Sequence, residues 1–276
     1  MGYPYKIAVL LTCHNRKEKT LACLNSLSES TISGDNQFDI FLVDDGSTDG
    51  TREAISDKYP DITIIQGDGN LYWNRGMHLA WEKAIKEDDF DFYLWLNDDT
   101  ILFKHALKKA LKISEKENHK SIVVGATCNI NKTITTYGGW SHGKLITTNS
   151  IKQYCDFFNG NFVLVPISAF RVLGNLDYRY RHTHGDFDYG YRAKKKGIKS
   201  ILIPEFIGIC ERDKNTLMCF DPEVPFSKRL KLFYSPLGKN PFEFFYFNNK
   251  HRGTIPALRI FVSNHFRVLF PSLFTK

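Results

Sequence analysis

The chain has 276 residues, 42% of them hydrophobic, which suits one large soluble domain or a domain with an extension and excludes a disordered, collagen-like or repeat protein. Its net charge of +7 is uneven: residues 226–276 hold nine Lys/Arg against one acid, Glu243, together with twelve aromatics, and the preceding residues sum to about −1. A near-neutral body with a basic, aromatic tail points to an anionic partner for the tail, a membrane surface or nucleic acid.

Residues 6–12 form a short β-rich run that ends in polar residues, as a buried strand does. Residues 16–30 carry apolar side chains at helical spacing, at 21, 24 and 27. A second strand spans 38–43 and is broken by Asp44-Asp45-Gly46-Ser47; Thr48 to Thr51 then supplies caps for a helix to about Lys58. A strand at 62–65, a helix at 73–86 and a strand at 91–96 follow, the last running into Asn97-Asp98-Asp99. Strand–helix alternation predicts an α/β fold with a mostly parallel sheet, Rossmann-like, covered by helices on both faces. Ligands then bind beyond the carboxyl ends of the strands, where Thr12-Cys13-His14-Asn15, Asp44-Asp45-Gly46 and Asn97-Asp98-Asp99 all fall. The second half is less regular: strands at 122–128, 162–165 and 199–203, a turn at 137–140, and helices from Pro166 to about 173 and over 185–196. From Phe226 the pattern becomes amphipathic helices broken at Pro236, Pro241 and Pro256. Residues 1–225 read as the catalytic body and 226–276 as a helical C-terminal extension.

The first five residues lead straight into a strand, so no signal peptide is expected, and no run of about 18 uncharged apolar residues predicts a membrane-spanning helix. None of the six cysteines has C-x-x-C spacing, and all are expected as reduced thiols in the cytosol.

Adjacent carboxylates such as Asp98 and Asp99 repel unless a cation sits on them. Mg²⁺ and Mn²⁺ favour hard oxygen ligands, one or two carboxylates plus phosphate oxygens, so the pair reads as a metal bridge to a diphosphate or, alone, as a solvated acidic turn. Asp44 and Asp45 stand where a nucleotide's base and ribose can be read by hydrogen bonds; alternatively Asp45-Gly46 is only a turn, and Asp49 reads as structural. Arg75 reads equally as a phosphate partner or a surface arginine. Asp186, in His184-Gly185-Asp186-Phe187-Asp188, is either a helix cap or a general base near an acceptor hydroxyl. The cations Arg192 to Lys196 suit the end of that helix.

Together these residues resemble the family 2 glycosyltransferases, inverting enzymes of GT-A fold. Leu11 to Arg16, Val43 to Thr51, Asn97-Asp98-Asp99 and Gly185 to Asp188 carry the resemblance, in matching order over about residues 1–210. Gly69-Asn-Leu-Tyr-Trp73 and Tyr137-Gly138-Gly139 resemble a bacterial rhamnosyltransferase-like subgroup of surface-polysaccharide assembly, the chemistry of capsule and O-antigen. The resemblance implies that Thr12, His14 and Asp45 line a nucleotide pocket with Arg75 nearby, that Asp98 lies near the ribose and diphosphate, that Asp99 holds Mg²⁺ or Mn²⁺, and that Asp186 is the catalytic base. Gly185 stands where the family has Glu. Near Cys210, where many relatives supply a metal-binding histidine, there is none, and a soft thiolate suits these metals poorly.

The expected reaction is hexosyl transfer from a nucleoside-diphosphate sugar, dTDP-rhamnose or a UDP-sugar, to a saccharide acceptor that is lipid-linked if the subgroup holds. The expected setting is the cytoplasm, with the tail peripheral on the anionic inner face of the plasma membrane and no nucleic acid bound. A sugar nucleotidyltransferase would need a glycine-rich loop after the first strand, and residues 12–16 contain no glycine. A non-catalytic carbohydrate- or membrane-binding protein would need neither Asp99 nor Asp186.

Overall fold

The computed structural model describes residues 4–31, 36–212 and 218–274. In chain order the elements of the body are β1 (Lys6–Cys13), α1 (Lys17–Thr31), β2 (Gln37–Asp44), α2 (Thr51–Lys58), β3 (Thr63–Gln66), α3 (Tyr72–Glu87), β4 (Phe92–Leu96), β5 (Ile101–Leu102), α4 (Ala106–Lys116), β6 (Ile122–Cys128), β7 (Thr135–Tyr137), β8 (Gly139–Ser141), β9 (Lys144–Leu145), β10 (Gln153–Cys155), β11 (Phe157–Phe158), β12 (Phe162–Pro166), α5 (Ile167–Leu173), α6 (Gly185–Lys195) and β13 (Ser200–Ile209). The tail adds α7 (Phe226–Tyr234), α8 (Pro241–Arg252) and α9 (Thr254–Leu269).

The main sheet runs β10-β13-β6-β12-β4-β1-β2-β3. Strands β3, β2, β1 and β4 are parallel, and β12 enters antiparallel between β4 and β6. Register decides where the site lies. Cys13 pairs with Asp44, Asp44 with Gln66, and Leu10 with Trp95, so the ends of four parallel strands share one rim. Because β12 is reversed, the residues that precede it, 159–161, arrive at that rim as well; so does Cys210, which follows β13.

Alternation along the buried strands supplies both cores. Ala8 and Leu10 of β1 face the layer containing Met77, Trp81, Ala169 and Tyr189, whereas Ile7, Val9 and Leu11 face Leu24, Leu27, Leu107 and Leu111. Helix α4, unmarked in the sequence reading, buries Leu107, Ala110, Leu111 and Ser114, the i, i+3, i+4, i+7 stripe of an amphipathic helix. Residues 137–140, expected as a turn or loop, join two short strands through Gly138, whose φ of 157° and close approach to Ala126 would strain any side chain. In the tail, Pro256 does not break a helix. It sits in the first turn of α9, where a missing N–H costs nothing, and the break comes at Gly253 with φ 91°. Pro241 occupies the first turn of α8, capped by the Asn240 side chain.

Helix α8 packs on the body. Glu243 accepts from Arg181 Nε at 2.6 Å, Tyr246 donates to Asp177 at 2.9 Å, and the His184 ring stacks on Phe247 at 5.0 Å. Asp188, fully buried on α6, accepts from Arg192 Nε and His251 Nε2 (both 2.8 Å) and pairs with Lys250 at 2.7 Å. Burial alone would raise its pKa; donors from His251 and Lys250 and the Arg192 charge outweigh it and hold the carboxyl well below the ordinary range.

Candidate active site

The loop after β2 is organised by one carboxylate. Asp45, 3% exposed, accepts from the backbone N–H of Gly69 (2.8 Å) and Leu71 (3.2 Å) at Oδ1 and of Tyr72 (2.9 Å) at Oδ2. Those bonds hold Tyr72 at φ 57°, a left-handed conformation that costs a non-glycine residue about 1–2 kcal/mol. His14 Nδ1 lies 2.6 Å from the Asp45 carbonyl, which fixes the imidazole at the rim. The Thr12 side chain lies under Gly76 of α3, where an added Cβ would stand 2.2 Å from Oγ1. Asp49 accepts from Lys17 N and Thr51 N, both at 3.1 Å, and so ties the starts of α1 and α2 together.

At the end of β4 the paired carboxylates share one cation. Arg16 Nη1 donates to Asp98 at 3.2 Å and to Asp99 at 3.0 Å. Asp98 is buried, and burial pushes its pKa up to about 7; the Arg16 charge opposes this and Asp99 adds to it. The Asp99 side chain keeps 22% exposure and is the carboxylate open to a ligand. Behind it, Cys210 Sγ donates to Asp99 Oδ1 at 3.4 Å and lies 3.4 Å from the Asn161 amide nitrogen. Burial, then the Asp99 charge, pushes the Cys210 thiol well up, so it stays protonated and serves as a hydrogen-bond donor. Among the described residues no three His, Cys, Asp or Glu side chains assemble as a metal cage.

The third component is the start of α6. Asp186 Oδ2 accepts from Gly160 N at 3.0 Å and Oδ1 from Phe187 N at 2.8 Å. Burial raises its pKa to about 6 against the pull of those two N–H groups. Gly160 is itself pinned: a Cβ there would meet the Trp73 ring at 2.3 Å, and Trp73 Nε1 donates to Asn97 Oδ1 at 2.7 Å. Loop 159–161 therefore holds Asp186 through Gly160 and reaches Asp99 through Asn161 and Cys210. The glycine at 185 also has a cause. A Cβ would stand 1.7 Å from Asn74 Oδ1, and buried Asn74 is locked by bonds to the Asp177 and Tyr180 carbonyls (2.9 and 2.8 Å).

Six of the seven residues singled out from sequence, Thr12, His14, Asp45, Asp98, Asp99 and Asp186, converge on this rim. Arg75 is directed elsewhere: its Nε donates to the Tyr178 carbonyl at 3.0 Å and its guanidinium covers the Tyr178 ring at 4.7 Å. Arg16, Trp73, Asn97, Gly160 and Asn161 were not singled out, although each belongs to the rim. Arg16 and Asn97 were visible at the ends of motifs already marked. Gly160 and Asn161 precede a strand whose direction is reversed, which the sequence does not display.

Comparison with known proteins gives a consistent result. The family model described as Glycosyl transferase family 2 matches residues 8–178. The poly-beta-1,6-N-acetyl-D-glucosamine synthase of Staphylococcus epidermidis is 24% identical over 217 residues, 73% of this chain and 51% of that protein, so the chain spans about half the length of this relative. The teichoic acid poly(glycerol phosphate) polymerase of the same species is 28% identical over 106 residues, 37% of this chain and 14% of that protein. Among solved structures, a mannosyltransferase from Pyrobaculum calidifontis in complex with GDP-Man and Mn²⁺ superposes with a TM-score of 0.56 at 15% identity, covering 97% of this chain and 81% of the other. TarS 1-349 of S. aureus in complex with UDP gives 0.55 at 13% identity over 89% of this chain and 73% of that one. At such identities the superpositions establish the GT-A fold.

Proposed function

The chain belongs to glycosyl transferase family 2, and on that premise we propose that it is an inverting hexosyltransferase of bacterial surface-polysaccharide assembly. The observation that carries the proposal is the convergence, through loop 159–161, of a carboxylate aimed by two backbone N–H groups (Asp186) with a partly exposed carboxylate (Asp99) at the carboxyl rim of the sheet. The donor is a nucleoside-diphosphate sugar, dTDP-rhamnose or a UDP-sugar. The acceptor is a saccharide hydroxyl, lipid-linked in the subgroup reading.

Asp186 uses two of its roughly four lone-pair directions on the N–H groups and keeps the others for the acceptor proton. It takes that proton as the acceptor oxygen attacks the anomeric carbon from the face opposite the leaving group, which inverts the configuration. Asp45 shapes the 69–72 loop beside the nucleotide, and His14 and Thr12 close its floor. The residues present fit a divalent metal of the Mg²⁺ or Mn²⁺ type. Asp99 offers hard oxygens, and donor diphosphate and water would complete the shell. When bound, such an ion neutralises charge on the departing diphosphate. In its absence Arg16 supplies the positive charge that Asp98 and Asp99 need.

The tail is proposed to make peripheral contact with an anionic membrane on the cytoplasmic side. Support comes from the exposed apolar stripe of α9, Ile255, Leu258, Val262, Phe266 and Leu269. None of the described helices is long and apolar enough to cross a membrane. The function is tested by a thermal-shift screen of UDP, dTDP and GDP with Mn²⁺ or Mg²⁺, followed by turnover with the matching sugar donor. A ligand at a hundred times its Kd stabilises by about 2.7 kcal/mol. A metal-dependent shift followed by a product of inverted linkage is expected. No shift with any of the three nucleotides would overturn the reading.

A further inference from the structure

Between α8 and α9 lies a cavity of about 440 Å³, lined by Lys239, Phe244, Arg259, Ile260, Ser263, Asn264 and Arg267. Three of its lining groups are cations, and among the described residues none of the three forms an ion pair with a carboxylate. The tail's one acid, Glu243, is committed to Arg181. Lys239 lies over the rings of Phe244 at 4.7 Å and Phe220 at 5.5 Å; Arg267 lies over Phe220 at 5.2 Å. Burial, then the neighbouring Arg267, lowers the Lys239 pKa, as expected for neighbouring cations in a partly buried setting.

An independent observation concerns orphan donors. Asn264 is 4% exposed, and among the described residues its Nδ2 has no hydrogen-bond partner; Arg267 Nε is buried and lacks one among them too. Unsatisfied buried donors cost free energy unless a ligand accepts from them. Unpaired cations with idle N–H donors around one void call for an anion rich in acceptor oxygens.

We propose that this cavity is a phosphate-binding site, distinct from the nucleotide rim, formed by Lys239, Arg259, Arg267 and the Asn264 amide. Its position bears on the source of the phosphate. At 100° per residue, Ile255, Leu258, Val262, Phe266 and Leu269 share one face of α9, with Arg259 at its border, Ser263 and Arg267 on the adjoining flank and buried Asn264 on the side opposite the stripe. An amphiphile could therefore place its chain along the stripe and its phosphate in the cavity. On the inner side, Phe244 of the cavity wall contacts His184, two residues from Asp186, at 4.9 Å. The shared chemistry is a phosphate or diphosphate group, carried by a lipid or free in solution.

The test uses the full chain and two probes. Inorganic pyrophosphate is titrated calorimetrically, and phosphatidylcholine vesicles with and without phosphatidic acid are co-sedimented at low and high salt. Both are repeated with Arg259→Gln, an exposed position, with Arg267→Gln and Asn264→Leu, and with a Lys228→Gln/Lys231→Gln control on the exposed side of α7. Melting temperatures verify that each variant is folded. Each lost cation is expected to weaken binding about fivefold, equivalent to about 1 kcal/mol. One-to-one pyrophosphate binding weakened by the cavity variants supports the site with free phosphate as its source. Binding only to the anionic vesicles, weakened by the same variants, supports it with a lipid headgroup. Binding of neither probe, equal weakening by the control, or a folded Arg259→Gln chain indistinguishable from wild type would overturn it. Nucleotide binding at the rim is measured separately, so failure here leaves the transferase reading intact.

Discussion

Replacing Asp186 with Asn removes the proposed base while retaining its shape. Two effects of different size follow. The general base is worth typically about 10²–10⁴ in rate, or roughly 2.7–5.4 kcal/mol at 1.36 kcal/mol per decade. The structural cost is smaller. Each carboxylate oxygen accepts one backbone N–H, from Gly160 at 3.0 Å and from Phe187 at 2.8 Å, and the Asn amide presents only one oxygen. One N–H is left facing an NH₂, at a cost of about 1–3 kcal/mol. Turnover should therefore fall at least a hundredfold, with a melting temperature lower by roughly 2–12 °C and a donor affinity near that of wild type. The pH profile separates chemistry from structure. Burial raises the Asp186 pKa to about 6, and a base works in its ionised form, so wild-type turnover should climb with pH through about 6. That limb should vanish in the variant, whose amide does not titrate. The assay is nucleoside-diphosphate release against pH, with calorimetry for the donor. Turnover within a few-fold of wild type, or an unchanged acid limb, would refute the assignment.

Asp99→Ala should lower turnover by about a hundredfold or more, since even groups that only orient metal ligands are worth 10–100-fold. It should also abolish the Mn²⁺-enhanced affinity for UDP seen by calorimetry; chelator-insensitive turnover would contradict the metal role. Asp188→Ala leaves the cations of Arg192 and Lys250 facing a hole and should cost about 3–5 kcal/mol of stability in thermal melts. Because the folded Asp188 pKa is depressed, its stabilisation is present above the ordinary carboxyl value of 3.8 and is lost as pH falls below it, so the variant should lose the corresponding part of the acid-side stability dependence. Gly185→Glu should not improve the enzyme: the new Cβ must displace Asn74, and a lower melting temperature by about 1–3 kcal/mol equivalent is expected.

Local chemistry was legible in the chain itself. Short continuous apolar runs that end in polar residues, together with helix spacing, located the parallel strands and most helices of the body, because each element carries its own pattern of apolar residues. Polar clusters at strand ends marked Thr12, His14, Asp45, Asp98 and Asp99, since parallel strands deliver their carboxyl ends to one rim. What those side chains bond to is another matter. Asp45 spends both oxygens on the N–H groups of residues 69–72, and Arg75 turns to Tyr178, contacts between segments far apart in sequence. The reversed entry of β12 brings Gly160 to Asp186 and Asn161 to Cys210, and strand direction leaves no mark in composition. The tail shows the same division. Its charge and aromatic content were plain, yet which of its faces pack on Asp188 and Arg181 and which stay open depends on how three helices meet the body, and that is decided by three-dimensional packing.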